Sequence, residues 1–527
     1  MHAFKKWLTL AIISSALFLI VVDMTVLYTA LPALTRELHA SASQKLWIIN
    51  IYSLVVCGLL PGLGTLGDRL GHKPVFLGGL VVFGAASLGA AFAPTPAALI
   101  GARIVLAVGA AMMMPATLSL IRLTFADQRE RSFAIGVWAA IASGGAAFGP
   151  ILGGFLLEHY WWGSVFLINV PIVLLTLLAA ALLLPRRAGQ SRQPWDLAGS
   201  LQIMLALLGG VYAIKELGKT APSHAVAAAA LATGAAFGVL FVRRQRKRPA
   251  PLIDFTLFRA LPFSSAVAAA MVASAALIGM ELALSQHLQL VRAMSPLEAG
   301  LLLLPLPLAS VVAGPLTGLM LPRADKAMVL WASLLVSSLG MAAYLLWHDA
   351  AMHAQVASLA VLGLGLGAVM TTASSAVMLN VAPQQAGMAA SIEEVAYELG
   401  AALGVTILGT IMSAVYGASL VLPAGAGALP DAYDTLDAAL LAAGQLPGEL
   451  GAQVAQLARA AFDQAFIAVL ASATAILLAA ALILRQLHRR ARRAAAMQPV
   501  CAACLSCGAT CCSSSVHCAS SVGRFGS

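Results

Sequence analysis

Charge is what this sequence has least of: Asp, Glu, Lys and Arg together make up 10% of its 527 residues. A soluble domain carries about 25% charged residues and needs them to cover its core, so soluble, fibrous and disordered classes are excluded. Catalytic signatures are lacking too. No His-Glu-x-x-His pair, phosphate-binding Gly-Lys loop or serine elbow occurs, which leaves an enzymatic role without support. Cysteine is scarce outside the C-terminal tail, since six of the seven lie between Cys501 and Cys518. The run Cys501, Cys504, Cys507, Cys511 has the spacing of a ferredoxin cluster, but Cys512 stands where Pro follows and Ser and Ala surround it. A membrane redox protein is therefore the weaker reading, and no metal or cofactor is expected.

What is abundant is apolar surface, with 61% of residues hydrophobic. A bilayer span takes about 20 of them. Breaking the chain at charge, Pro and Gly clusters predicts fourteen spans near 8–31, 47–66, 75–93, 98–121, 133–156, 165–184, 197–214, 224–242, 263–286, 297–320, 327–347, 356–380, 392–416 and 462–484. The first is too long for a signal peptide, contains Asp23 and lacks a cleavage site, so it stays as helix one. The net charge of +10 reports topology rather than nucleic-acid binding. With the N-terminus in the cytoplasm, 24 of the 31 Lys and Arg fall on the cytoplasmic side, a strong positive-inside bias. Both termini are then cytoplasmic. The long outside connection 417–461 holds a stretch, Leu436 to Leu446, that fits a short surface helix.

One internal repeat is visible. Pro61, Gly64, Leu66 and Arg69 recur as Pro315, Gly318, Met320 and Arg323, offset by 254 residues each time, and both runs end a span on the cytoplasmic side. Duplicated halves with a site between them are a transporter architecture. The predicted organisation is a six-helix half over 1–185, an inserted helix pair over 186–262, a second half over 263–493, and a Cys/Ser-rich disordered tail over 494–527.

Three motifs fall on this frame. Gly64, Leu66, Asp68, Arg69, Gly71, His72 and Lys73 occupy the link between spans two and three, where glycine permits a tight turn and the charges can exchange salt bridges as the halves rock. Span five carries Gly136, Gly145, Gly149, Pro150, Gly153 and Gly154. Of these, Gly145, Gly149 and Gly153 are spaced to give one smooth packing face, and Pro150 adds a bend. Span one reads Asp23-Met-Thr25-Val-Leu-Tyr28-Thr-Ala30-Leu31-Pro32. Together these strings resemble the fourteen-helix drug:proton antiporters of the major facilitator superfamily: the signature loop, the antiporter motif G-x8-G-x3-GP-x2-GG, and the D-x-T-x-x-N-x-A-L-P signature. Two departures are Tyr28, where Asn is usual, and the Leu106-Ala107 pair after Arg103, where Gln and Gly are usual. The resemblance implies an all-α polytopic fold, export rather than uptake, and a proton-coupling role for Arg103. Ser295-Pro296 and the Trp162 to Pro171 run with Asn169 read as architecture.

Acids at membrane depth mark function by default. Asp23 is expected to exchange partners between Arg103, a proton and substrate. Glu394 and Glu398 stand four apart on one face of span thirteen. Two such carboxylates repel when both are charged, which prepares a site for either a proton or a cation. Glu393 reads as a solvated helix-start acid. The run also resembles the acidic pair of quaternary-ammonium exporters, and Glu281 resembles their further membrane acid. Tyr28, Tyr52 and Trp138 are candidates to stack on a cation. The expected function is proton-coupled efflux of lipophilic cations across the bacterial inner membrane, by a chain acting as a monomer among membrane lipids and using protons as its coupling ion. An exporter of an amphiphilic metabolite or lipid is the alternative.

Overall fold

A computed structural model describes residues 2–38, 40, 42–185, 196–217, 223–249, 251–379, 381, 386–423, 430–433 and 436–506. Fourteen helices are long and apolar enough to span a membrane, and no strand occurs among the described residues. Numbered by span, they are α1 (His2–Glu37), α2 (Ala42–Leu70), α3 (His72–Ala91), α4 (Pro96–Thr124), α5 (Gln128–His159), α6 (Asn169–Leu183), α7 (Leu197–Leu217), α8 (His224–Lys247), α9 (Leu261–Gln286), α10 (Pro305–Met320), α11 (Lys326–Trp347), α12 (Met352–Leu379), α13 (Ala386–Ser419) and α14 (Gly448–Ser506). A single turn, Ser164–Leu167, precedes α6, and Pro296–Leu303 forms the first leg of the tenth span.

Most helices overrun the apolar windows that predict them, because polar side chains carry the winding beyond the hydrocarbon. Asp127 caps α5 by accepting from the amides of Arg129 at 2.8 Å and Glu130 at 2.9 Å. Those bonds, the Glu130 amide foremost, hold its carboxyl below the usual carboxylate range. Ser295 and Glu298 make a reciprocal capping box, so that entry to the tenth span is built as architecture. The largest overrun is α14, which starts at Gly448 and runs to Ser506. Its first turns belong to the connection expected to be loop, and its last residues belong to the expected tail. Residues 507–527 lie outside those described. The surface helix is present as Leu436–Gln445.

The neighbour relations occur twice. Contacts of α1 with α5, α2 with α4, α3 with α4 and α3 with α6 are matched by α9 with α13, α10 with α12, α11 with α12 and α11 with α14. The small-residue seams follow the same rule. Gly145, Gly149 and Gly153 of α5 lie against Phe18, Thr25 and Val26 of α1, while Gly400 and Gly404 of α13 lie against the Met271 and Ala275 backbone of α9. Close backbone approach of this kind replaces the hydrophobic effect as the cement between helices in lipid.

Between the halves, α5 meets α10 through glycine. A Cβ on Gly136 would stand 2.5 Å from the Gly314 carbonyl oxygen, and one on Gly318 would stand 2.5 Å from that of Ser132. Thus Gly136, although part of the span-five motif, faces the other half rather than α1. Arg122 at the end of α4 donates to the carbonyls of Met378 and Val381 at the end of α12, each at 2.5 Å. This tie closes the end of the bundle that carries the basic residues.

Candidate functional site

Five helices of the first half converge on Asp23, which is fully buried. Asn169 of α6 donates from Nδ2 to Asp23 Oδ1 at 2.7 Å and also reaches Ser87 Oγ of α3 at 3.3 Å. Arg103 of α4 places Nη1 3.8 Å from Asp23 Oδ2, an ion pair rather than a tight hydrogen bond. The Arg103 guanidinium carbon lies 5.0 Å from the centre of the Tyr52 ring of α2, within cation–π range. The expected Asp23–Arg103 pairing is present in this geometry. Asn169, read from sequence as architecture, is instead the direct partner of the acid, and Ser87 was not singled out. The signal available for both was a polar side chain inside an apolar span.

The second cluster lies on α13. Glu393, Glu394 and Glu398 are all buried. Glu393 is therefore no solvated helix-start acid. Its carboxylate accepts from Ser374 Oγ of α12, pointing away from the cavity that its neighbours line. Burying it uncharged or hydrogen-bonded is the only inexpensive arrangement. Glu398 accepts from the Ser53 hydroxyl of α2. The Tyr397 carbonyl accepts from Ser274 of α9 at 2.7 Å, which fixes this stretch of α13 against its own half.

A cavity of about 170 Å³ opens between the clusters, with Thr25, Ser53, Trp138, Glu394, Tyr397 and Glu398 in its wall. The antiporter-motif seam seats Thr25 there, because α1 sits against Gly149 at that residue. Trp138 is held by donation from Nε1 to Thr117 Oγ1 at 3.1 Å. Drug-sized ligands fill roughly 300–1,000 Å³, so a bulky ligand requires the halves to part further.

Not every candidate falls on this cavity. Tyr52 is wholly buried with Arg103 over its ring, so it is no platform for a ligand in this arrangement. Glu281 is not in the cavity wall; it stands one turn beyond Leu277 and Ile278, which are. The side chain of Tyr28 lies outside those described. In the signature loop, Gly71 takes φ 94°, which explains the glycine, and Asp68 pairs with His72 at 3.3 Å. Lys73 caps the end of α6, donating to the Ala181 carbonyl at 2.9 Å and the Leu184 carbonyl at 2.6 Å. Arg69 is exposed. Among the described residues one set of metal-type ligands comes together, His348, Asp349 and Asp463. Arg292, 3.3 Å from Asp349, already supplies positive charge there.

Two like helical halves around a buried acidic cavity define a membrane transporter that works by exposing one site to alternate sides. The family model described as Major Facilitator Superfamily matches residues 13–405, and the chain belongs to that superfamily. It is 41% identical over 478 residues to the methyl viologen resistance protein SmvA of Salmonella typhimurium, covering 90% of this chain and 97% of that one. It is 39% identical over 492 residues to the multidrug efflux pump LfrA of Mycolicibacterium smegmatis, covering 92% and 97%. Among solved structures, the human organic anion transporter MFSD10 matches with a TM-score of 0.59 at 13% identity, covering 91% of this chain and 99% of that chain. A bacterial homologue of the human lysosomal transporter Spinster matches at 0.57 and 16%, covering 92% and 98%. These two likenesses concern the fold. With its fourteen spans and bacterial relatives, the chain is a multi-pass transporter of the bacterial cytoplasmic membrane and not an enzyme.

Proposed function

We propose that this protein is a multidrug exporter that exchanges lipophilic and quaternary-ammonium cations, of the methyl viologen, ethidium and acriflavine kind, for protons. The observation that carries the reading is the pair Glu394 and Glu398, one turn apart in the wall of a single cavity beside the Trp138 and Tyr397 rings. A permanent cation has no proton to lose. It is held by carboxylate charge and aromatic faces and leaves when protons neutralise that charge. The names of the similar Salmonella and Mycolicibacterium proteins support drug export.

The cycle follows from the two clusters. Drug enters the cavity from the cytoplasm or inner leaflet and pairs with the ionised acids of α13. Outside protons then reach Glu398 and Glu394 and discharge it, while Asp23 trades its Arg103 contact for a proton. The halves 1–185 and 263–493 rock about the cavity, and both termini face the cytoplasm, an orientation favoured by the positive-inside bias of the basic residues. The lining residues of the cavity all come from one chain, and the proposed unit is a monomer, with the proton as coupling ion and no cofactor.

Efflux of ethidium or methyl viologen from energised cells, with and without an uncoupler and beside Glu398→Gln, tests this. Uncoupler-sensitive efflux that the variant loses is the expected result. If no cationic dye is exported, the cation reading gives way to an exporter of an amphiphilic metabolite or lipid.

A further inference from the structure

The packing of the inserted pair α7–α8 places α7 at the cavity. On α7, Leu201, Leu205 and Tyr212 are exposed, Tyr212 to 42%, whereas Val211 is 5% exposed. Met204 lies seven residues, two turns, before Val211 and shares its face. That face is seated on the protein: a Cβ on Gly58 of α2 would collide with the Met204 side chain. Two turns further along, Val211 is part of the wall of the same cavity that Ser53, Glu394 and Glu398 line. Helix α7 touches both α2 and α13, which belong to different halves. It therefore lies over the seam where those halves meet.

The pair is stiff enough to be a wall. A Cβ on Gly209 would stand 2.6 Å from the Ala230 carbonyl oxygen, and one on Gly234 would stand 2.9 Å from that of Ala206, so α7 and α8 touch backbone to backbone. At the basic end, buried Asp196 is gripped by Arg244 at 2.9 Å and Arg248 at 3.2 Å.

We propose that α7 is a third wall of the substrate cavity, closing the α2–α13 seam against lipid, and that Val211 sets the bulk of the cation the cavity admits. The proposal rests on the reading of that cavity as the drug site. Val211 brings only methyl groups to the wall, so it contributes shape while the α13 acids contribute charge. A larger side chain there takes space from the ligand without touching the proton sites.

The test uses the full chain in proteoliposomes. Val211→Trp is expected to cut efflux of tetraphenylphosphonium about tenfold, the scale of a steric change in an apolar pocket, and to leave methyl viologen efflux nearly intact. Leu205→Trp, on the lipid face of the same helix, should alter neither. In a chain whose own cysteines are replaced by serine, Val211→Cys should react with a charged methanethiosulfonate and be shielded by ethidium, while Leu205→Cys should stay unreacted. Equal loss for both cations in Val211→Trp, or a Val211→Cys thiol that the reagent never reaches, overturns the proposal. If the unsubstituted protein exports neither cation, the drug reading has failed, and the labelling result still decides whether α7 is a cavity wall.

Discussion

Gly149→Ala would put one methyl group into the α1–α5 seam two residues from Asp23. A Cβ there would stand 2.9 Å from Thr25 Cβ and 3.0 Å from the Val26 amide nitrogen, with Thr25 Oγ1 closer still. Ordinary contact begins at 3.4 Å, so α1 must retreat by about half an ångström. The Thr25 hydroxyl cannot simply swing away, because it donates to the Val21 carbonyl at 3.0 Å. Releasing that bond costs about 0.5–1.5 kcal/mol, and overpacking of this kind costs about 1–3 kcal/mol. Gly149→Ala is therefore expected to lose about 2 kcal/mol of stability. It also shifts Asp23, two residues from Thr25, off Asn169. The series around it is graded. Gly145→Ala meets Phe18 and Val21 at 3.2–3.3 Å and needs tenths of an ångström, while Gly154→Ala meets nothing nearer than 3.7 Å and should be neutral. Thermal unfolding in detergent and dye efflux, read together across the three variants, check the order. If Gly149→Ala is as stable and active as the parent, or Gly154→Ala is as damaging as Gly149→Ala, the close α1–α5 seam does not set the position of the acid.

Arg122→Ala removes two charge-assisted bonds between the halves, each worth about 1.5–3 kcal/mol, and should favour opening at the basic end. Spin labels at Leu123 and Leu379 then show a longer distance population, and an unchanged distribution argues against a latch. At Asp196, burial raises the carboxyl, but the Arg244 hydrogen bond, the Gly199 amide and the Arg244 and Arg248 charges outweigh it and hold it below its usual range. A depressed folded-state value contributes stability above the unfolded value of about 3.9, and that stability is lost as pH falls through the folded one. The gap in unfolding temperature between the parent and Asp196→Asn should stay level from about pH 5 to 8 and close toward pH 3. A gap that widens in acid contradicts the assignment.

The spans were legible because charge is so sparse that each charged cluster marks a boundary, and the repeat was legible because both copies keep Pro and Gly at one helix end. Partners were harder. Spacing shows that Gly145, Gly149 and Gly153 share a face but not that the face meets α1, nor that Gly136 turns to Gly314 in the other half. Glu394 and Glu398, expected on one face, both line the cavity, whereas Glu393, one residue away, meets Ser374 because consecutive residues on a helix point about 100° apart. Lys73 looked like a loop charge and proved to be a helix cap, since the free carbonyls of α6 are invisible until α6 is folded beside it. The α7 wall was hidden for the same reason: nothing in an apolar helix tells lipid from cavity.

The same 100° step explains how two acid clusters in different halves can sense each other. Tyr52 and Ser53 are neighbours on α2, and their side chains diverge: the Tyr52 ring lies under Arg103, and the Ser53 hydroxyl holds Glu398. In the proton exchange proposed above, a proton on Asp23 would remove the charge that draws Arg103, which could then move relative to the Tyr52 ring. Tyr52 and Ser53 share one stretch of α2 backbone, so a backbone shift that carries the Tyr52 ring also moves Ser53. On that reading, a turn of α2 that withdraws the Ser53 hydroxyl from Glu398 would carry the change at the first cluster to the second. On the proposed exchange, adjacent residues of one helix would tie the two halves without a long relay, through a helix that cannot satisfy both clusters in both states.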